Sequence, residues 1–135
     1  MSESQAPPAL DDLTEIERAV VDAARRGVWA KPNNVVGVQE LAVTGNPDLR
    51  VRSVVIRELL MGRCGELDPR GLRVKGVRVV GQLDLDHVEA VAGLSLLNCA
   101  LPDGVTCLFA RLREMVLRGS LMQLANRRAQ QQASW

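Results

Sequence analysis

The sequence predicts an α+β protein in which a short right-handed parallel β-helix over residues 70–120 is capped by N-terminal helices and followed by a C-terminal helix. Glycine recurs every five residues at Gly71, Gly76 and Gly81. A two-residue period places side chains on one face of a strand, and five residues is not a helical period. Short strands separated by corners predict a chain that winds into a solenoid. The runs with an apolar residue at every second position are 72–74, 77–79, 83–85, 94–96 and 99–101.

One stretch also resembles a known group of proteins. The run DPRGLRVKGVRVVGQLDL at residues 68–85, preceded by VRSVVIRELL at 51–60, is similar to actinobacterial proteins labelled membrane-associated oxidoreductase. These are relatives in style of the pentapeptide-repeat β-helices, and the resemblance covers roughly residues 10–120. It implies a pentapeptide-repeat-like solenoid, and the label implies a redox association. No catalytic motif in this chain accompanies the label.

Composition limits the classes of function. A chain of 135 residues predicts one domain, and a net charge of +1 provides no long-range field to attract nucleic acid or an anionic membrane. The N-terminus is polar, and no apolar run approaches the length of a membrane span, so we expect a cytoplasmic protein without a span. Three cysteines without a Cys-x-x-Cys spacing predict reduced thiols that serve packing; they are Cys64, Cys99 and Cys107.

The N-terminal half predicts a helical cap over residues 10–69, after a disordered lead-in at 1–9. Asp12 or Thr14 can begin the first helix, which Gly27 ends. Residues 28–47 predict a loop that Trp29 packs against the fold, because proline and glycine interrupt every period there. Asp48 is the predicted cap of a second helix over residues 49–61, whose wide apolar sector would cover the end of the β-helix.

The C-terminal residues 121–135 predict a helix or tail beyond the β-helix. So few windings need further burial, which the helix could supply by sealing that end within one chain or by packing against a second copy; the symmetric dimer is the favoured arrangement. We therefore expect a homodimer, and Leu121, Leu124 and Trp135 are the candidate residues for self-association.

Basic residues between positions 50 and 78 outnumber acidic ones, which provides an alternative, a nucleic-acid-binding surface. The candidate contacts are Arg50, Arg52, Arg57, Arg73 and Lys75. Outward positions of a coil would carry Arg73, Lys75 and Arg78 in any case, so a solvated face is the favoured explanation.

Catalytic chemistry has only one candidate cluster, formed by Asp84, Asp86 and His87. Alternation places both carboxylates outside the fold in water, away from the pocket that a general base or metal site needs. The glycine spacing also differs from a dinucleotide-binding loop. We therefore assign no catalytic, cofactor-binding or metal-binding residue. The sequence favours a non-catalytic protein-interaction or scaffold module with an unidentified protein partner over a nucleic-acid-binding protein or a redox-associated one.

Overall fold

The computed structural model describes residues 12–63 and 65–122, so the lead-in predicted for residues 1–9 lies outside the described part. Over these residues the chain forms three α-helices and ten short strands. The helices are α1 (Glu15–Arg26), α2 (Val38–Leu41) and α3 (Ser53–Leu60). The strands are β1 (Trp29–Ala30), β2 (Arg50–Arg52), β3 (Leu72–Lys75), β4 (Arg78–Val80), β5 (Leu83–Asp84), β6 (Leu94–Leu97), β7 (Ala100–Leu101), β8 (Val105–Thr106), β9 (Met115–Val116) and β10 (Leu121–Met122).

Helix α1 begins at the capping box that the sequence predicts. The Thr14 hydroxyl accepts a hydrogen bond from the Glu17 amide at 3.3 Å, and the Glu17 carboxylate accepts one from the Thr14 amide at 3.0 Å. Gly27 ends the helix in a left-handed conformation (φ 72°), and its amide donates to the Ala23 carbonyl. The predicted first helix is confirmed, with Thr14 rather than Asp12 as its cap.

The predicted second helix is only partly correct. Residues Pro47–Leu49 form a 3-10 turn, Arg50–Arg52 form strand β2, and the helix itself is limited to Ser53–Leu60. The Asp48 side chain is not the cap, since the Asp48 amide instead donates to the Asn46 side chain at 3.0 Å. Strand β2 pairs with β4, and this long-range pairing overrides the local helical pattern.

The strands pair in parallel and form three sheets. The first has the order β1-β3-β6-β9, the second β10-β7-β4-β2, and the third contains β5 and β8. Residues that pair in register across the first sheet lie on the same face of it. One such row contains Leu72, Leu94 and Met115.

The predicted β-helix, and with it the pentapeptide-repeat-like solenoid, is wrong. The three sheets are parallel but do not close, and their first strands β1 and β2 come from the region that the sequence assigned to the helical cap. Alternation of apolar residues determines which side chains face the core. Closure depends instead on the turns between sheets, and the three sheets of the described residues share no strand.

The main core lies between helices α1 and α3 and the inner faces of the sheets. It contains buried residues of each of the strands β1 to β5, among them Val51, Leu72, Val79 and Leu83. After Leu101 the apolar side chains that face this core are only partly buried. The predicted column of buried aliphatic residues therefore ends about twenty residues earlier than expected.

A second, small cluster holds the segment between strands β1 and β2, residues 31–49, which we call the middle segment. Leu41 of helix α2 and Leu49 are buried against Ala100 of strand β7, so the segment lies over the outer face of the second sheet. The sequence predicts that Trp29 packs a loop against the fold. Instead, Trp29 belongs to strand β1 and pairs in register with Arg73.

Gly71 allows the chain to enter the first sheet. Its backbone has φ 75°, and a Cβ atom there would collide with the backbone carbonyl and amide of Gly93. Only glycine combines this conformation with so close an approach.

Candidate functional site

The two ends of the sheets differ in what covers them. Helix α1 packs against β1, β2 and β3, and helix α3 packs against β5. The strands that begin each sheet are therefore covered by apolar helix faces. We call this side of the molecule the covered end.

The opposite side, the open end, is formed by the last strands β8, β9 and β10. Each of them lies at the edge of its sheet, and no helix within residues 12–63 and 65–122 packs over them. Leu121 and Met122 are 37% and 38% exposed. A groove of about 380 Å³ opens here and is lined by Cys107, Phe109, Ala110, Leu112 and Met115.

Phe109 extends the apolar surface at the open end. Its ring is 79% exposed and stacks on the His87 imidazole, with 5.4 Å between centroids and 18° between the planes. Both residues have a left-handed backbone, with φ 56° and 62°, which directs the two rings to the same corner. The sequence does not reveal the contact between His87 and Phe109, because residues 22 positions apart in the chain meet only when the strands pair.

The predicted self-association residues fall at the open end as far as the structure describes them. Leu121 lies in strand β10, so the helix predicted from this position does not begin there. Leu124 and Trp135 lie outside the described residues.

The five predicted nucleic-acid contacts are separated by the fold, and Arg52 is engaged in a structural ion pair. Its Nε and Nη2 donate to the two carboxylate oxygens of Glu17 at 3.0 and 2.7 Å, and its amide donates to the same carboxylate at 2.9 Å. Nη2 also donates to the Asp12 carbonyl at 2.8 Å. This pair ties helix α1 to strand β2.

Glu17 is only 1% exposed, so the balance of effects on its pKa is informative. Burial by itself raises the pKa of Glu17, but hydrogen bonds from the Arg52 side chain and amide and from the Thr14 amide outweigh it. The net pKa lies below the usual range. The hydrogen bonds to Glu17 likewise raise the pKa of Arg52, so both partners stay charged.

Arg57 is also occupied. Its Nη1 donates to the backbone carbonyls of Asp84 and Asp86 at 2.7 and 3.3 Å and lies 3.5 Å from the Asp84 carboxylate. Arg57 thereby attaches helix α3 to the corner after strand β5.

Arg50 lies beside Arg78 in register, beneath the middle segment. The Nε groups of both are buried and have no hydrogen-bond acceptor among the described residues, while Arg78 Nη1 donates to the Thr44 carbonyl at 2.9 Å. Arg78 thereby contacts the middle segment.

Arg73 and Lys75 alone remain together. The Arg73 guanidinium carbon lies 4.5 Å, and the Lys75 ammonium nitrogen 4.9 Å, from the centroid of the Trp29 ring. Of the five candidate contacts, the structure brings these two together on one indole.

The carboxylates of Asp84 and Asp86 organise the backbone. Asp84 accepts a hydrogen bond from the Asp86 amide at 3.0 Å, and Asp86 accepts one from the Leu108 amide at 2.8 Å. His87 stacks on Phe109 as described. In the part of the chain that the structure describes, no group of three or more His, Cys, Asp and Glu side chains could hold a metal ion.

Two cysteines fall within the described residues, and Cys64 lies outside them. Burial raises the pKa of the Cys99 thiol, whose Sγ lies 3.4 Å from the Leu97 carbonyl. Burial, and then the Asp86 charge, raise the pKa of Cys107. Neither thiol has the lowered pKa of a reactive cysteine.

The described helices also lack the combination of length and apolar character that crossing a membrane requires. Comparison with known protein families, curated proteins and solved structures finds no match for the chain. The class of protein therefore rests on the geometry of the described residues: parallel sheets with one covered end and one open end.

Proposed function

We propose that this protein is a non-catalytic interaction module that forms a symmetric homodimer through its open end. The observation that carries the proposal is the asymmetry between the ends. Helices cover the first strands, whereas among residues 12–63 and 65–122 no further strand pairs with the outer edges of the last strands, which carry partly exposed apolar side chains.

Free strand edges and apolar surface favour association for two physical reasons. Unpaired backbone N–H and C=O groups at a sheet edge can form hydrogen bonds with another strand. Apolar side chains such as Leu121, Met122 and Phe109 lose contact with water when a second copy covers them. A two-fold axis brings the same edge of each copy together, so one patch supplies both sides of the interface.

Sedimentation velocity of the full chain tests this proposal. The wild type is expected to sediment at twice the 14.7 kDa chain mass. The double variant Leu121→Glu/Met122→Glu should shift the equilibrium to the monomer, because it places two charges per copy in the interface. We expect a loss of affinity of at least tenfold, about 1.4 kcal/mol.

A matched control replaces two exposed valines elsewhere. Val43 and Val91 are 78% and 86% exposed, so Val43→Glu/Val91→Glu changes charge and hydrophobicity equally without touching strand β10. This control should remain dimeric. A monomeric wild type, or equal dissociation of both double variants, would contradict the proposal.

A further inference from the structure

The outer face of the first sheet carries a basic surface that reaches the open end at Arg118, between strands β9 and β10. Burial alternates along strands β3 and β6, so Arg73 and Lys75 face outward while Leu72 and Val74 face the core. None of the four strands of this sheet contains an acidic residue. We define the basic face by Lys31, Arg73, Lys75 and Arg118, together with Trp29.

Trp29 organises the centre of the basic face. An indole attracts cations above its ring, so it holds the Arg73 and Lys75 head groups near each other despite their mutual repulsion. The guanidinium N–H groups lie in the plane of the group, so a stacked arginine can still donate to a ligand. Arg73 uses one of them in a long bond of 3.4 Å to the Gly27 carbonyl.

A groove of about 570 Å³ continues this face toward the middle segment. Among the described residues that line it, Lys31 and Lys75 are the charged ones. Its remaining lining is uncharged and comprises Pro32, Val35, Val36, Gly37, Val38, Gly76, Asn98 and Gly119. An occupant therefore meets positive charge on one side and apolar surface on the other.

The four cations of the basic face form no ion pair with a carboxylate of the described residues. They lie at successive positions across the sheet. Lys31 follows β1, Arg73 and Lys75 belong to β3, and Arg118 follows β9, with its carbonyl accepting the Asn98 amide at 3.1 Å. Charges spread across several strands match an extended polyanion better than a single small anion.

We infer that the basic face binds a segment of single-stranded nucleic acid. Backbone phosphates lie against Lys31, Arg73, Lys75 and Arg118, and bases lie against the apolar wall of the groove. Proteins that bind single strands combine a positive groove with aromatic side chains on which bases stack. Here Arg73 and Lys75 occupy the Trp29 ring, so the bases pack instead on the apolar wall of the groove. The site shares only Arg73 and Lys75 with the surface predicted from the sequence.

Fluorescence anisotropy of a labelled oligothymidylate of about 15 nucleotides tests the inference. Binding should weaken with salt, with a slope of log K against log salt of about −2 to −3 for three or four phosphate contacts. The variant Arg73→Gln/Lys75→Gln should bind about tenfold more weakly and reduce the magnitude of this slope by about 1 to 1.5.

Arg18→Gln/Arg26→Gln is the matched control, because it removes the same charge from the exposed side of helix α1. It should bind nearly as the wild type does, and circular dichroism should show both variants folded. Absence of binding at about 50 mM salt, or equal loss in both variants, would overturn the inference. Tighter binding of duplex than of single strand would also overturn it. So would binding of AMP alone if Arg73→Gln/Lys75→Gln abolished that binding.

Discussion

The covered end and the open end are built from the same kind of short parallel strand, yet only one of them has a complete core. Leu72 and Leu94 are fully buried, whereas Met115, which continues their row in the first sheet, is half-buried. The residues in this row are similar in size and register. The difference arises because helices α1 and α3 exclude water at one end and no described element does so at the other.

The largest expected change in the free energy of unfolding comes from shortening a side chain at either end of this row. Leu72→Ala should lower the free energy of unfolding by about 3 kcal/mol, because it leaves a cavity where the surroundings are fully packed. Met115→Ala should cost about 1 kcal/mol or less, since its side chain already contacts water. Urea denaturation at one fixed protein concentration measures both values. Equal costs would show that the open end is packed as well as the covered one.

Glu17 tests how the covered end is held together. Glu17→Gln should lower the free energy of unfolding by about 2 kcal/mol, because it removes the charge that accepts three hydrogen bonds from Arg52, while the 35% exposure of Arg52 limits the loss. Glu58→Gln is the matched control. Glu58 is also buried, but its carboxylate lies 3.3 Å from a single Arg63 nitrogen, so a smaller cost is expected.

The lowered pKa of Glu17 also predicts a pH dependence. A carboxylate whose pKa is lower in the folded chain than the ordinary 4.5 stabilises the fold fully above that pH, and the contribution is lost as pH falls through the folded pKa. The difference in stability between the wild type and Glu17→Gln should therefore be largest above pH 4.5 and shrink below it. A difference that grows on acidification would contradict the assigned ion pair.

The smallest effect concerns the two thiols. Cys107 is half-buried in the groove of the open end, and Cys99 is buried in the core. Iodoacetamide should modify Cys107 at least about tenfold faster than Cys99 in the folded protein, and peptide mass mapping distinguishes both from Cys64. Raising the protein concentration should slow Cys107 if the open end is the dimer interface. Equal rates at the two thiols would show that the ends are equally closed.

The local devices of the fold follow from the sequence. The Thr14–Glu17 spacing and Gly27 define helix α1, because caps act within a few residues. Alternation in 72–74 and 94–96 correctly predicts core-facing strand residues, since the two-residue period is a property of the extended backbone itself.

Interactions between distant residues were decided by tertiary structure. Residues Arg50–Arg52 form a strand instead of the predicted helix, because β4 provides backbone partners. Arg52 is a structural residue because it binds Glu17, and local periodicity cannot reveal a partner 35 positions away in the chain. Of the five predicted basic contacts only Arg73 and Lys75 remain together, next to Lys31, whose position two residues after Trp29 was the available signal. The sequence determines which side chains face inward. Which strands become neighbours, whether sheets close and which charges meet depend on long-range hydrogen bonds and packing, which local periodicity does not encode.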